Sequence, residues 1–448
     1  KKKSAAIYGQ APIQPLHVFA FGEGSAGELG LGVRKVEGKK PLDVKRPRKN
    51  VLLACDTARV VQIACGGMHS VALTKDNRLL TWGVNDQGAL GRDTQWDGGL
   101  RDMDVNDDGS SSDSEADDDC GLNPLESSPG EVDMRSILPG EVFIKVAATD
   151  SASFALTQGG RLYSWGTYRA SDGILGFNKD VETQDFPILL PEPTKIVDIA
   201  TGSNHVVAIS AGPKSKVLTW GAAEQNQLGR RVVERNMRSS ALHPGVLAFK
   251  RGVSIRAVAC GSYHSFAIDT TNKVWAWGLN NFGQLGVETA GAGEDDAMVL
   301  KPTLVEALAE YDVAEMYAGE HHSLARTTDG RLLTFGRVDS QQTGLPQVAF
   351  TEANCIFDDR GSPRILAVPT AVDIQEEVVF AAAGTDTTLA ITADGKAYSW
   401  GFNANYQCGL GNDNEIETPT LIDNSAIRDQ HLRWAGAGGQ FGLLASFA

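Results

Sequence analysis

The chain lacks any apolar run near the ~18 residues of a membrane span, and no secretory leader opens it. Its six cysteines (Cys55, Cys65, Cys120, Cys260, Cys355, Cys408) include no CxxC or CxxxxC pair. A zinc site needs ligands converging at such spacings, so no metal is expected, and scattered thiols fit a reducing compartment. Positive charge is scarce: 41 lysines and arginines against 56 carboxylates leave −15 at pH 7. That balance argues against a protein whose whole surface coats nucleic acid, while leaving room for a local basic patch. Helical periodicity is missing as well, with no convincing segment beyond about ten residues. With 42% apolar and 22% charged residues over 448 positions, the composition is that of a globular protein.

What the chain has is repetition. An aromatic–glycine pair recurs at Phe21-Gly22, Trp82-Gly83, Trp165-Gly166, Trp220-Gly221, Trp277-Gly278, Phe335-Gly336 and Trp400-Gly401. Each is followed seven to nine residues later by a leucine, and six of those leucines by glycine. A second motif, such as "VVQIACGGMHSVALT" (60–74) or "IRAVACGSYHSFAID" (255–269), also occurs seven times. Internal symmetry of this kind decides the architecture before any other motif is weighed. Each unit reads as four short strands, the fourth often holding a proline, as in "KPTLVE" (301–306). The spacing predicts an all-β, seven-bladed β-propeller of four-stranded antiparallel blades, whose radial closure protects the sheet edges. The repeats begin at a third strand, "HVFAF" (17–21), and end on a second, "GLLAS" (442–446). The two half-units are therefore expected to share one blade in a single domain, 16–447. Residues 1–15, opening "KKKSAA", read as the remnant of a basic tail.

Several motifs invite a sharper reading than they support. "GEGSAG" (22–27) matches a dinucleotide fingerprint, but "ELGLG" follows where a helix is required, so it reads as a repeat turn. His69, His205, His264 and His322 share one repeat position, which marks scaffold first. Functional weight shifts to loop residues that break the repeat: Asp150 with Ser151, Asn204, Glu320 with His321, and Asp386. Tryptophans in the strands read as core, and no Ser/His/Asp arrangement or carboxylate pair calls for covalent catalysis.

Two insertions interrupt the pattern. Residues 102–120 hold nine acids and no basic residue, too polar to bury, and are expected to form a disordered loop. Residues 166–177, "GTYRASDGILGF", replace the usual turn. Tyr168, Arg169 and Asp172 either stand off the rim as a wedge or decorate a plain surface loop. Basic character gathers in "GKKPLDVKRPRK" (38–49), read as a solvated edge strand ahead of an import sequence or an anion-binding patch. It gathers again in 229–243, where Arg230, Arg231, Arg235 and Arg238 suit phosphate, an acidic protein surface or plain solvent equally.

The motifs "GGMHSVAL", "CGSYHSFAI" and "GQLG" across 16–447 resemble the regulator of chromosome condensation family, chromatin-bound guanine-nucleotide exchange factors for the small GTPase Ran. The resemblance implies a wedge at Thr167, Tyr168, Arg169, Ala170, Ser171, Asp172, Gly173 and Ile174. It implies a GTPase-binding rim at Asp150, Asn204, His264, His321, His322 and Asp386. Asn204 stands where the family has an aspartate, and Phe441 where it has a histidine. Chromatin contact with the histone acidic surface and DNA is implied for the basic tail and for Arg230, Arg231, Arg235 and Arg238. A nuclear import receptor is a further implied partner and the nucleus the implied location, with no cofactor and no membrane. A scaffold of the same repeat family, binding a partner through the same rim, is the alternative.

Overall fold

The computed structural model describes residues 6–98, 120–212, 215–288, 293–294 and 297–448. Seven antiparallel sheets stand radially around one channel. The first blade comprises Val60–Cys65, His69–Thr74, Leu79–Gly83 and Gly130–Glu131. The second runs Phe143–Ala148, Ala152–Thr157, Leu162–Gly166 and Gln184–Leu189. The third to sixth repeat this order, starting at Ile196, Ile255, Val313 and Val378. In the closing blade, Leu16–Gly22 lies between Val44–Lys49 and Phe441–Phe447, with Leu432–Ala437 innermost. Leu16 pairs with Phe447 and Gly22 with Phe441, so the two half-units do share a blade. The fifth blade departs from four strands: Cys355–Phe357 adds a fifth beyond Pro363–Ala371.

The first strands of successive blades touch around the whole circle, the closing blade meeting the first. Each carries the same irregularity two residues in, at Val60/Gln62, Ile196/Asp198 and their equivalents, which raises local twist where the sheet meets the channel. Outside the closing blade, five of the six second strands are buried along their full length, as "HSVALT" shows, and the sixth, His322–Thr327, is broken only by the half-buried Arg326. Sheets covered on both faces favour such continuous apolar and small hydroxyl runs over strict alternation.

The repeated glycines have two separate causes. Gly83, at φ +99°, leaves its strand where a Cβ would lie 2.3 Å from Met68 O. Gly91, at φ +65°, sits against Trp165 of the next blade, where a Cβ would meet the indole at 2.7 Å. Gly229 meets Trp277 in the same way. Trp82, Trp165, Trp277 and Phe335 thus each pack on the Leu-Gly glycine of the blade before them.

Residues 6–15 cross the face opposite the first-to-second-strand loops. Tyr8 N–H donates to Gln158 O (2.9 Å), and Ala448 N–H donates to Pro15 O (2.9 Å). This part of the expected tail is therefore seated on the second blade; residues 1–5, and 102–119 of the acidic insertion, lie outside the described residues. No helix among the described residues is long and apolar enough to cross a membrane.

Candidate functional site

The loops joining first to second strands converge on one mouth of the channel, a funnel of about 970 Å³ lined from all seven blades. Backbone bonds run between neighbouring loops: Asp150 N to Ser203 O (2.8 Å), Ser262 N to Gly319 O (3.0 Å), Glu320 N to Thr385 O (3.1 Å) and Gly439 N to Gly67 O (2.8 Å). The rim is consequently a laced ring, not a set of independent loops.

The recurring histidines hold that ring from below. Nε2 of His69, His205, His264 and His322 meets a hydroxyl of the next blade at 2.8–2.9 Å: Ser153, Ser265, Ser323 and Thr388. Each hydroxyl donates its one proton to the turn carbonyl of the blade before it, Ala89, Gln227, Gln284 or Gln342. The hydroxyl oxygen can then only accept from the ring, which fixes the neutral Nε2–H tautomer. Trp165, Trp277 and Trp400 donate to the same carbonyls of Ala89, Gln227 and Gln342. Burial holds His205 and His322 down to about 3 and His69 to about 4, with His264 also well below its usual value.

This corrects two rim assignments. His264 and His322 are 0% exposed, which places them in the framework beneath the rim and not on its surface. Phe441 fills the same buried slot in the closing blade, paired with Gly22 as His69 is with Gly83.

Of the loop-specific residues, Asp150, Ser151, Glu320 and Asp386 line the funnel, while Asn204 and His321 are not among its lining residues. Asp150 is solvent-exposed at the mouth, yet the loops crowded around its carboxyl push it up to about 6 against the pull of Ser203 and Arg169. Burial also raises Glu320, helped by the charges of Asp386 and Asp150. Asp386 is raised by burial although Arg337 is near and Gln342 Nε2 donates to it (2.9 Å). Three carboxylates thus share one mouth. His321 packs between Phe282 (5.0 Å) and Tyr263 (6.3 Å), and burial with Arg337 lowers it to about 4. Its 3.9 Å approach to Glu320 is accordingly no ion pair at neutral pH.

Residues 166–177 form a two-stranded hairpin, Tyr168–Ala170 against Gly173–Gly176. Thr167 and Tyr168 are not at its tip. Thr167 is buried and donates to Glu182 O (2.7 Å), while the Tyr168 ring enters the core and its hydroxyl accepts from Trp220 Nε1 (2.7 Å). Trp220 has lost the turn carbonyl used by Trp165, Trp277 and Trp400, and Tyr168 stands in for it. The alternation of a strand turns Arg169 outward, where it pairs with Asp86 (3.0 Å) of the first blade. Asn204 Oδ1 accepts from Arg169 N (2.8 Å), and Glu224 of the third blade accepts from Ser171 N and Oγ (both 2.8 Å). Ser171, Asp172 and Gly173 form the exposed tip, beside the half-buried Ala170 and Ile174.

Glu224, Asp86 and Arg337 are the residues that sequence reasoning missed. Asp86 and Glu224 occupy one repeat slot, three after the Trp-Gly glycine, in the two units flanking the insertion. An acid in that slot on both sides of an exposed hairpin was the available signal.

The arginine-bearing connection divides. Arg230 is tied to the carbonyls of Thr219, Ser240 and His243, as Arg92 is to those of Thr81 and Ser128. It is an anchor, not a mobile contact. Arg238 Nε donates to Asn178 O (3.2 Å) at the foot of the hairpin. Arg231 and Arg235 are exposed. Among the described residues no group of three or more His, Cys, Asp or Glu could hold a metal ion.

A model of the RCC1-like domain matches residues 17–444. The guanine nucleotide exchange factor SRM1 of Saccharomyces cerevisiae is 39% identical over 439 residues, covering 96% of this chain and 87% of that protein. The crystal structure of Prp20p from the same yeast, described with its binding properties to Gsp1p and histones, superposes with a TM-score of 0.84 at 36% identity. That match covers 98% of this chain and 93% of Prp20p. A structure of Kap60 bound to yeast RCC1 (Prp20) matches with a TM-score of 0.85 at 36% identity, covering 100% and 94%.

Proposed function

As the chain belongs to the RCC1-like domain family, we propose that it is a guanine-nucleotide exchange factor for a Ran-type small GTPase. The GTPase docks on the acidic funnel mouth, and the tip at Ser171–Gly173 presses on its nucleotide-binding region. The observation that carries this reading is the bracing of the hairpin by Asp86, Asn204, Tyr168–Trp220 and Glu224 above a laced rim. A partner held against such a base deforms before the wedge does. Binding the nucleotide-free GTPase more tightly than the loaded one lowers the barrier to release, tenfold for each ~1.4 kcal/mol of difference. No bond is made or broken in the protein, so this is exchange without covalent chemistry. Asp150, Glu320 and Asp386 meet basic residues of the partner, and the net charge of −15 speeds the encounter.

Support for the wider setting comes from the relatives: Prp20p is described with histones, and Kap60 with Prp20. Arg231 and Arg235 are the arginines disposed to meet an acidic histone surface, with the residues around 1–15 directed to DNA and to an import receptor. Work on chromatin in the nucleus follows from this reading. The test is release of a fluorescent GDP analogue from Ran with catalytic amounts of protein. Fast release by the parent and at least about tenfold slower release by Asp150→Ala are expected. Unchanged intrinsic release with the parent would leave a scaffold that binds through the same rim.

A further inference from the structure

On the outer flank of the closing blade lies a groove of about 780 Å³, walled by 31–51 and by residues near 424–426. Seven lysines and arginines line it against two carboxylates, Glu37 and Asp43, in a molecule whose net charge is −15. Some of these cations build the walls. Arg46 Nη1 donates to Asp423 O (3.2 Å), Arg48 Nη1 to Lys40 O (2.6 Å), and Lys45 lies 4.6 Å over the Tyr406 ring. Arg34, Lys39, Lys40 and Lys49 are exposed. A concave site with this excess of cations calls for a chain of anions.

Such a chain is part of the same molecule. Residues 102–119 carry nine acids and no base. The chain re-enters the described fold at Cys120, whose N–H donates to Val33 O (3.1 Å), one residue before Arg34. Gly32 N–H donates to Ser127 O (2.9 Å), tying the same two segments a second time. Asp117, Asp118 and Asp119 directly precede Cys120 in the sequence. The described chain therefore resumes, at Cys120, beside the basic groove.

We propose that the groove is the docking site of the chain's own acidic segment, 102–119, which masks it from external polyanions. Weak contacts suffice because the segment is tethered. At an effective concentration of about 1 mM, an affinity of only about 0.1 mM leaves the groove about nine-tenths filled and weakens any competitor about tenfold.

The test compares the full chain with a variant whose nine acids in 102–119 are changed to Asn or Gln. A labelled synthetic peptide of residues 102–119 is expected to bind the neutralised variant saturably and the parent about tenfold more weakly. Binding should be lost at about 0.5 M salt, where screening shortens charge contacts. Lys39→Glu with Lys40→Glu in the neutralised variant should abolish it without moving the unfolding midpoint. In the parent, carbodiimide coupling should join carboxylates of 102–119 to Lys39, Lys40 or Lys49. Equal peptide binding by parent and neutralised variant overturns the proposal, as do couplings concentrated on remote lysines such as Lys250 or Lys301. Equal capture of a short DNA duplex by both chains also overturns it and marks an open nucleic-acid surface.

Discussion

On the proposed function, Asp150 serves two ends that conflict. Its carboxyl is held near 6 in the folded chain, above its ordinary 3.8, so the ionised form present at neutral pH costs stability. The sign follows from linkage: this cost is absent at low pH and grows as pH rises through 6. Asp150→Asn is therefore expected to raise the unfolding midpoint at pH 7.5, by a margin that shrinks below pH 6, while slowing nucleotide release. A variant that lost both stability and activity would show instead that the charge is structural. Strain retained at a loop of this kind is a mark of function, and recurrence is a mark of scaffold. His264 illustrates the second. Its recurrence in four of the seven units announced a framework role, yet the resemblance to a family drew it to the rim. Burial decides between them: a ring at 0% exposure, donating to Ser323, has nothing left to offer a partner.

At the scale of elements, the hairpin is an outgrowth fastened by substitution of partners. Trp220 Nε1 would bond a turn carbonyl in a regular unit, and here it bonds Tyr168. Tyr168→Phe leaves that buried N–H unpaired and is expected to cost about 1–3 kcal/mol in chemical unfolding. Glu224→Ala removes two exposed bonds to Ser171, so stability should move by less than about 1 kcal/mol. Exchange should nonetheless slow several-fold as the tip loosens, and an unchanged exchange rate would remove Glu224 from the bracing. The insertion itself was legible from its length, and Arg169 and Asp172 from their polarity. That Tyr168 points inward was not, because orientation depends on the register of a hairpin that the repeat does not contain. The anchoring of Arg230 was written in the chain: "LGR" occurs at 90–92 and again at 228–230, and both arginines clasp the carbonyls of their own blade. Reading the arginines as one cluster concealed that recurrence.

Over the whole molecule, the four inter-blade histidines set the acid limit. Their values near 3 to 4 or well below normal mean that unfolding takes up protons once pH falls under about 6.5. Stability is thus present at neutral pH and lost downward, at about 1.4 kcal/mol per histidine per pH unit. From pH 7 to 5.5 the four together remove about 5 kcal/mol, while the raised carboxyls of Asp150, Glu320 and Asp386 act in the opposite sense. Urea unfolding at the two pH values tests this, and equal midpoints would contradict the buried network. The ring was legible because seven imperfect copies average out local ambiguity; the fifth strand at Cys355–Phe357 was not, since it occurs in one unit alone.

Closure by two half-units also sets a timetable for synthesis. Leu16–Gly22 leaves the ribosome early, but its inner neighbour, Phe441–Phe447, is translated more than 400 residues later. At about 5–20 residues per second, that first strand waits roughly 20 to 80 seconds with one edge unpaired. The nascent chain is an open arc with a sticky end throughout that interval, and chaperone demand should peak there and end abruptly when the last strand arrives.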